Sequence, residues 1–243
     1  MIGAMFFRWG RGLVCAIAFV YLTSGVWPQN AAAGSPGTLS AIEIVEQMQR
    51  YNRAQIEGLK HYEALRHYHV EYRGLTTLDA KMDVEVKYDA ATGKSFRIVS
   101  QSGSSLLCNK VLKRAVDSEK EAAQDKGATA LNPANYRFLL SGSESLGGRP
   151  AYILDVTPLT ASKFLYRGKI WVDAMDFALV KMETEPAKSP SFWISRTLIH
   201  YSSAKAGAFW LPHEVRSETK VRIGGTAMLT IDNESYKVVS NFQ

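Results

Sequence analysis

The chain has 243 residues, of which 46% are hydrophobic, 21% charged and 11% aromatic, and its formal net charge is +6. That composition excludes a disordered or collagen-like chain, and two cysteines, Cys15 and Cys108, exclude a disulfide scaffold. The positive excess is spread out rather than gathered in one run, which gives no footprint for nucleic acid and suits an anionic membrane surface better.

The first 33 residues read as a signal peptide rather than as part of the fold. Arg8 and Arg11 form a basic start, Leu13 to Leu22 is a short apolar core, and Ala31-Ala32-Ala33 offers small residues for cleavage. The apolar run is too short for a retained span, and Cys15 sits too early in it to be an acylated cysteine. Export to the periplasm follows as the expectation, with residues 34–243 as one domain whose charge falls from +6 to +4 when Arg8 and Arg11 leave. Cys108 then has no disulfide partner in its own chain.

Ser40, with Glu43 three residues on, gives a capping box, and Ile42, Val45, Met48, Asn52, Ile56 and Leu59 follow at helical spacing. This predicts an amphipathic N-terminal helix to about Leu59 with one face on something apolar. From Leu65 the period changes to two. Tyr68, Val70 and Tyr72 alternate with His67, His69, Glu71 and Arg73, and Ala80 to Tyr88 alternates apolar with charged without exception. After the turn at Asp89 to Gly93, Phe96 and Ile98 begin another strand, and Leu106 to Val116 reads as a further apolar-rich segment. Asp117 to Gly127 is full of helix formers and poor in large apolar residues, so it predicts a short exposed insertion helix.

Tyr136 to Ser141 and Ala151 to Pro158 read as strands around a Gly147-Gly148 turn. Ile170 and Val172 alternate with Lys169, Trp171 and Asp173, the chain reverses at Ala174-Met175-Asp176, and Val180 and Met182 alternate with Lys181 and Glu183. Pro186 and Pro190 end that strand, and Phe192, Trp193 and Ile194 are expected to open the next. Glu214 to Val221 alternates, Gly224-Gly225 turns the chain, Ala227, Leu229 and Ile231 alternate again, and Tyr236 to Val239 closes the sequence. The sum is mainly β with α: a curved antiparallel sheet or unclosed β-barrel of about ten or eleven strands, with both helices over its concave side. A flat two-sheet sandwich is the alternative.

With these segments in view, the chain resembles the outer-membrane lipoprotein-sorting protein family, the LolA/LolB/RseB-like periplasmic proteins. The resemblance rests on the exported N-terminus, the helix Ile42 to Leu59, the hairpin Gly168 to Asp173 with Phe177 to Glu183, the segment Pro186 to Trp193, and Phe209-Trp210-Leu211-Pro212. It implies an open β-barrel with helices over its mouth and an apolar hollow that shelters lipoprotein acyl chains or another lipid. Partner proteins at the inner or outer membrane are the further implication, and an RseB-type sensor domain is the alternative.

No chemistry competes with that reading. His67 and His69 share a face but continue into Glu71 and Arg73 with no further ligand at a recognisable spacing, so they read as a wet face and no metal is expected. A G-x-S-x-G elbow and a phosphate-cradling glycine loop are absent from the sequence, and Asp173, Asp176 and Glu183 read as turn and edge groups. No enzymatic activity and no cofactor are expected. By strand and helix phase, the residues expected to line the hollow are Met48, Ile56, Val84, Val86, Ile98, Ile170, Val172, Val180, Met182, Phe192 and Ile194.

Overall fold

The computed structural model describes residues 39–124, 129–162, 164–189, 191–222 and 224–240. The signal peptide expected over residues 1–33 lies outside them, as do Cys15, Pro190 and Ile223. Helix α1 spans Ala41–Gly58. The Ser40 hydroxyl accepts from the Glu43 amide at 3.4 Å, and the Glu43 carboxylate accepts from the Ser40 amide at 2.7 Å, which completes the capping box. The buried stripe is Ile44, Val45 and Met48, whereas Ile42 and Ile56 face solvent. The apolar face therefore runs through Ala41, Ile44, Val45, Met48 and Tyr51, and Ile42 stands one residue, about 100°, off it.

Ten antiparallel strands follow: β1 (Leu59–Arg73), β2 (Thr77–Asp89), β3 (Gly93–Gly103), β4 (Tyr136–Leu146), β5 (Arg149–Pro158), β6 (Tyr166–Asp173), β7 (Leu179–Pro186), β8 (Ile194–Ala206), β9 (Phe209–Val221) and β10 (Thr226–Ser240). They form one sheet in the order β3-β2-β1-β10-β9-β8-β7-β6-β5-β4. Edges β3 and β4 are unpaired with each other, so the sheet does not close, and the sandwich alternative falls because the described residues form one sheet and no second. Every paired couple in the sheet joins sequence neighbours except β1 with β10, which joins the chain's first and last strands and needs no local turn.

Leu106 to Val116, read from the sequence only as apolar-rich, is helical: α2 (Ser105–Leu107), a π-helical turn (Cys108–Leu112) and α3 (Lys113–Gln124) form one run. The Ser104 hydroxyl caps it by accepting from the Leu107 amide, and Cys108, Leu112 and Val116 recur every four residues as its buried face. A second segment differs from the sequence reading: Phe192 and Trp193 do not open β8, which begins at Ile194. Ser189 donates to the carbonyls of Ser191 and Ile194, and the Ile194 amide bonds to the Ser191 carbonyl, so serine turns hold both aromatics outside the ladder.

Candidate functional site

Directly opposed residues in an antiparallel sheet share a face, so the register can be followed from strand to strand. Leu140 pairs with Leu154, Leu154 with Ile170, Ile170 with Met182, Met182 with Tyr201, Tyr201 with Val215, Val215 with Ile231, Ile231 with Tyr68, and Tyr68 with Met82. This is one row across nine strands without a charge. A second row runs Val156, Gly168, Thr184, Ile199, Ser217, Leu229, Val70 and Ala80. The opposite face along β7 to β10 carries Lys181, Ser202, Glu214 and Asp232 in one row and Glu183, His200, Arg216 and Thr230 in the next. One face is apolar and the other charged.

Both helical segments lie on the apolar face, at its two ends. At one end Ile44, Val45 and Met48 of α1 pack with Tyr136, Leu154, Val156, Leu165, Ile170 and Val172. At the other, Leu107, Cys108, Leu112 and Val116 pack with β1 and β2 residues including Tyr68, Val70, Met82, Val84 and Val86. The principal helix contacts are with β1 to β4, and the centre over β7 to β10 is left with less cover. There Met182, Ile199, Tyr201, Val215, Leu229 and Ile231 are half-buried, while Ile170 and Met82 in the same rows have no accessible surface. Tyr201 keeps accessible surface even though the surrounding protein pushes its hydroxyl up to about 12, which places it in a recess. From Met182 to Tyr68 the trough crosses four strand spacings of about 4.8 Å, roughly 19 Å in all.

Two charged assemblies brace the trough. Arg66 points inward from β1 beside Tyr68, with its side chain 5% accessible. Its Nη1 donates to Glu119 of α3 at 2.5 Å and its Nε to Asn233 of β10 at 2.5 Å, while Lys94 donates to Glu119 at 2.8 Å. Burial works against the ionised Glu119, but Lys94 and Arg66 outweigh it and hold the carboxyl below its ordinary value. Burial likewise opposes the charge on Arg66, and Glu119 reverses that. At the rim near the β6–β7 turn, Arg149 of β5 makes a two-pronged contact with Asp173 at 2.7 Å and reaches Asp176 at 2.9 Å. Asp176 also accepts from Trp210 Nε1 and Lys205, both at 2.8 Å. This clasp ties three hairpins together.

The residues expected to line a hollow are distributed between packed core, trough and solvent. Met48 of α1 packs with Ile170 and Val172, and Val84 and Val86 lie beneath the π-helical turn, all without accessible surface. Val180 is turned away by a bulge: Trp171 pairs with Lys181 and Val172 with Leu179, so Val180 joins Trp171, Ala151 and Ala178 instead. Ile56, Ile98 and Phe192 are exposed, Ile98 on edge strand β3, and Ile194 is half-buried at the start of β8. Met182 stands in the trough itself. Ile199, Tyr201, Val215, Leu229 and Ile231 belong with it and were unmarked by phase alone, although each sits in a two-residue alternation.

His69, Glu71 and Asp79 bring one ligand atom each within 4.8 Å of one another, but His67 pairs separately with Asp83 at 2.8 Å. The two histidines therefore do not build one centre. Two depressions lie elsewhere: one of about 430 Å³ around Gly168 with Asp155, Arg167, Glu183 and Glu185, the other of about 290 Å³ beside Arg149, Asp173, Val180 and Trp210. The first is walled by charges and the second by the clasp. Among the described residues, no helix is long and apolar enough to cross a membrane.

No protein-family model matches the chain, and no curated protein matches its sequence. Similar solved structures include a LolA superfamily protein from Nitrosomonas europaea, at 12% identity over 83% of this chain and 94% of that one, with a TM-score of 0.36. A second, from Vibrio parahaemolyticus and described as an outer membrane lipoprotein-sorting protein domain, has 12% identity over 82% and 93% of the two chains, with a TM-score of 0.40. The Mycobacterium tuberculosis lipoprotein LppX has 10% identity over 81% and 94%, with a TM-score of 0.31. Identity and TM-score are low throughout, so these likenesses carry no part of the functional reading that follows.

Proposed function

We propose that the chain is a periplasmic, non-enzymatic carrier or binding protein that shelters an acyl chain of a lipoprotein or another lipid in the central trough, in outer-membrane lipoprotein sorting. The observation that carries this reading is an uncharged inner face over β7 to β10 whose residues keep accessible surface between two helix-covered ends. A methylene moved from water to an apolar surface gains about 0.8 kcal/mol, so ten methylenes half-sheltered in the trough gain on the order of 4 kcal/mol before ordering costs. Closure of the trough over the ligand would raise that figure. The apolar wall has the right chemistry for an acyl chain and supplies no acid, base or nucleophile.

Titration with a fluorescent fatty acid tests this reading. Val215→Glu places a carboxylate in the trough at a residue that already has accessible surface, so the fold can tolerate it, and it should weaken binding by about tenfold or more. Lys181→Glu on the charged face should leave binding unchanged. Equal binding by wild type and Val215→Glu would refute the trough as the site.

A further inference from the structure

Three adjacent turns lie at one end of the sheet, and the outer two, β1–β2 and β7–β8, hold large apolar side chains out in water. Strands β7, β8, β9, β10, β1 and β2 are consecutive in the sheet, and pairing of Ile194 with Val221, Lys220 with Thr226, and Arg73 with both Thr226 and Thr77 brings the β7–β8, β9–β10 and β1–β2 turns to the same rim. The turns touch. The Arg222 amide donates to the Trp193 carbonyl at 2.8 Å, and the Gly225 amide donates to the Tyr72 hydroxyl at 3.1 Å. Gly225 lies so close to the β1–β2 turn that a Cβ there would stand 1.5 Å from the Arg73 carbonyl oxygen.

On this rim Leu75 is fully exposed, Phe192 is 74% exposed and Trp193 48% exposed. Phe192 and Trp193 support each other: their rings meet edge-on at 5.6 Å, and the Arg222 guanidinium sits 5.1 Å from the centre of the Phe192 ring. Arg73, Lys188 and Arg222 are exposed beside them, and residues 74–76, 187–193 and 222–225 contain no acidic residue. Arg73 pairs with Glu71 at 2.8 Å, set back on the β1 strand, and Glu185, before the β7–β8 turn, is taken up by Arg167 and Arg196. Lone exposed apolar residues are ordinary, but three on two turns of one rim, joined by the β9–β10 turn, among cations and with no acid in the turns themselves form a patch of one chemistry.

From this we infer that the rim is a docking surface for an anionic phospholipid bilayer. Leu75 stands on the β1–β2 turn and the paired Phe192 and Trp193 on the β7–β8 turn, a form that enters the headgroup region, and tryptophan and phenylalanine are suited to that interface. The arginines and lysine match a negatively charged leaflet and cannot be satisfied by an apolar partner surface. Docking does not require the trough to hold a ligand. It would, however, bring the trough's open rows, which end at Thr197, Thr219 and Ala227, next to the membrane.

Sedimentation of the full chain with lipid vesicles tests the inference. Wild type should sediment with vesicles of phosphatidylethanolamine and phosphatidylglycerol, and weakly with phosphatidylcholine alone. The combined variant Leu75→Ser, Phe192→Ser and Trp193→Ser should lose at least about tenfold of the vesicle-bound fraction, since each side chain would otherwise be removed from water on docking. Residues 1–38 are common to both proteins, so the difference reports the rim alone. Lys188→Glu with Arg222→Glu should abolish the preference for anionic vesicles. Circular dichroism and Leu75→Ser alone, at a position free of packing, guard against misfolding as the cause. Equal sedimentation of wild type and the combined variant would overturn the proposal, as would absence of wild-type binding to anionic vesicles. A protein that co-purifies with wild type in fixed ratio and is lost with the combined variant, without vesicle binding, would overturn it too.

Discussion

Removing Glu119 should expose how the helical cap over β1 and β2 is held. The Arg66 side chain is 5% accessible and Glu119 31%, and the carboxylate answers both Arg66 and Lys94. In Glu119→Ala the guanidinium keeps Asn233 and the Phe96 ring, 5.8 Å away, but loses its counter-charge. Breaking a buried pair from one side costs 3–5 kcal/mol, and water entry past a one-third exposed Glu119 places this case at the lower end, about 3 kcal/mol. With a urea slope near 3 kcal/mol/M, the unfolding midpoint should fall by about 1 M. Arg66→Met with Glu119→Leu replaces the buried pair by apolar groups of similar volume and, with the one-third exposed Lys94 turning to water, should recover most of that loss. Urea denaturation followed by tryptophan fluorescence measures both variants. A shift below about 0.3 M for Glu119→Ala, or a double variant as unstable as the single one, would refute the reasoning.

The remaining expectations concern pH, backbone crowding and the helix cap. Burial works against the ionised Asp173, but Arg149 and the Met175 and Asp176 amides hold its carboxyl below its ordinary 3.8, and Glu119 lies below its ordinary 4.5. Depressed carboxyls stabilise fully above those ordinary values, so thermal stability should stay level above about pH 5 and fall progressively as pH drops below 4. A midpoint that rises on acidification would contradict this. Gly225→Ala must push the Arg73 carbonyl aside and should lower stability by about 2 kcal/mol or more, measurable as a drop in Tm. Ser40→Ala removes one acceptor of the capping box and should cost about 1 kcal/mol in the same assay.

Much of this fold is legible in local pattern. The alternation from Ala80 to Tyr88 and the Ser40 to Glu43 cap required no tertiary information, because a period of two or a cap is enforced by neighbours in the chain. The helical run from Ser105 was legible as well, through the Ser104 cap and the four-residue spacing of Cys108, Leu112 and Val116, but its apolar content resembles a strand over so short a span. The trough was not legible, for a physical reason. Val172 and Val215 have the same alternation, and what separates them is which strands α1 and α3 cover, a matter of pairings hundreds of atoms apart in the chain. The bulge that turns Val180 outward is likewise invisible, since it depends on the partner strand β6. Phe192 and Trp193 read as strand residues because only their serine neighbours, not their own character, keep them in a turn.

Native mass spectrometry of the protein purified without detergent bears most directly on the trough. The trough reading predicts a retained acyl-bearing species on wild type, depleted in Val215→Glu and preserved in Lys181→Glu. A wild-type spectrum showing only the bare polypeptide, with no adduct after incubation with a long-chain fatty acid, would contradict it.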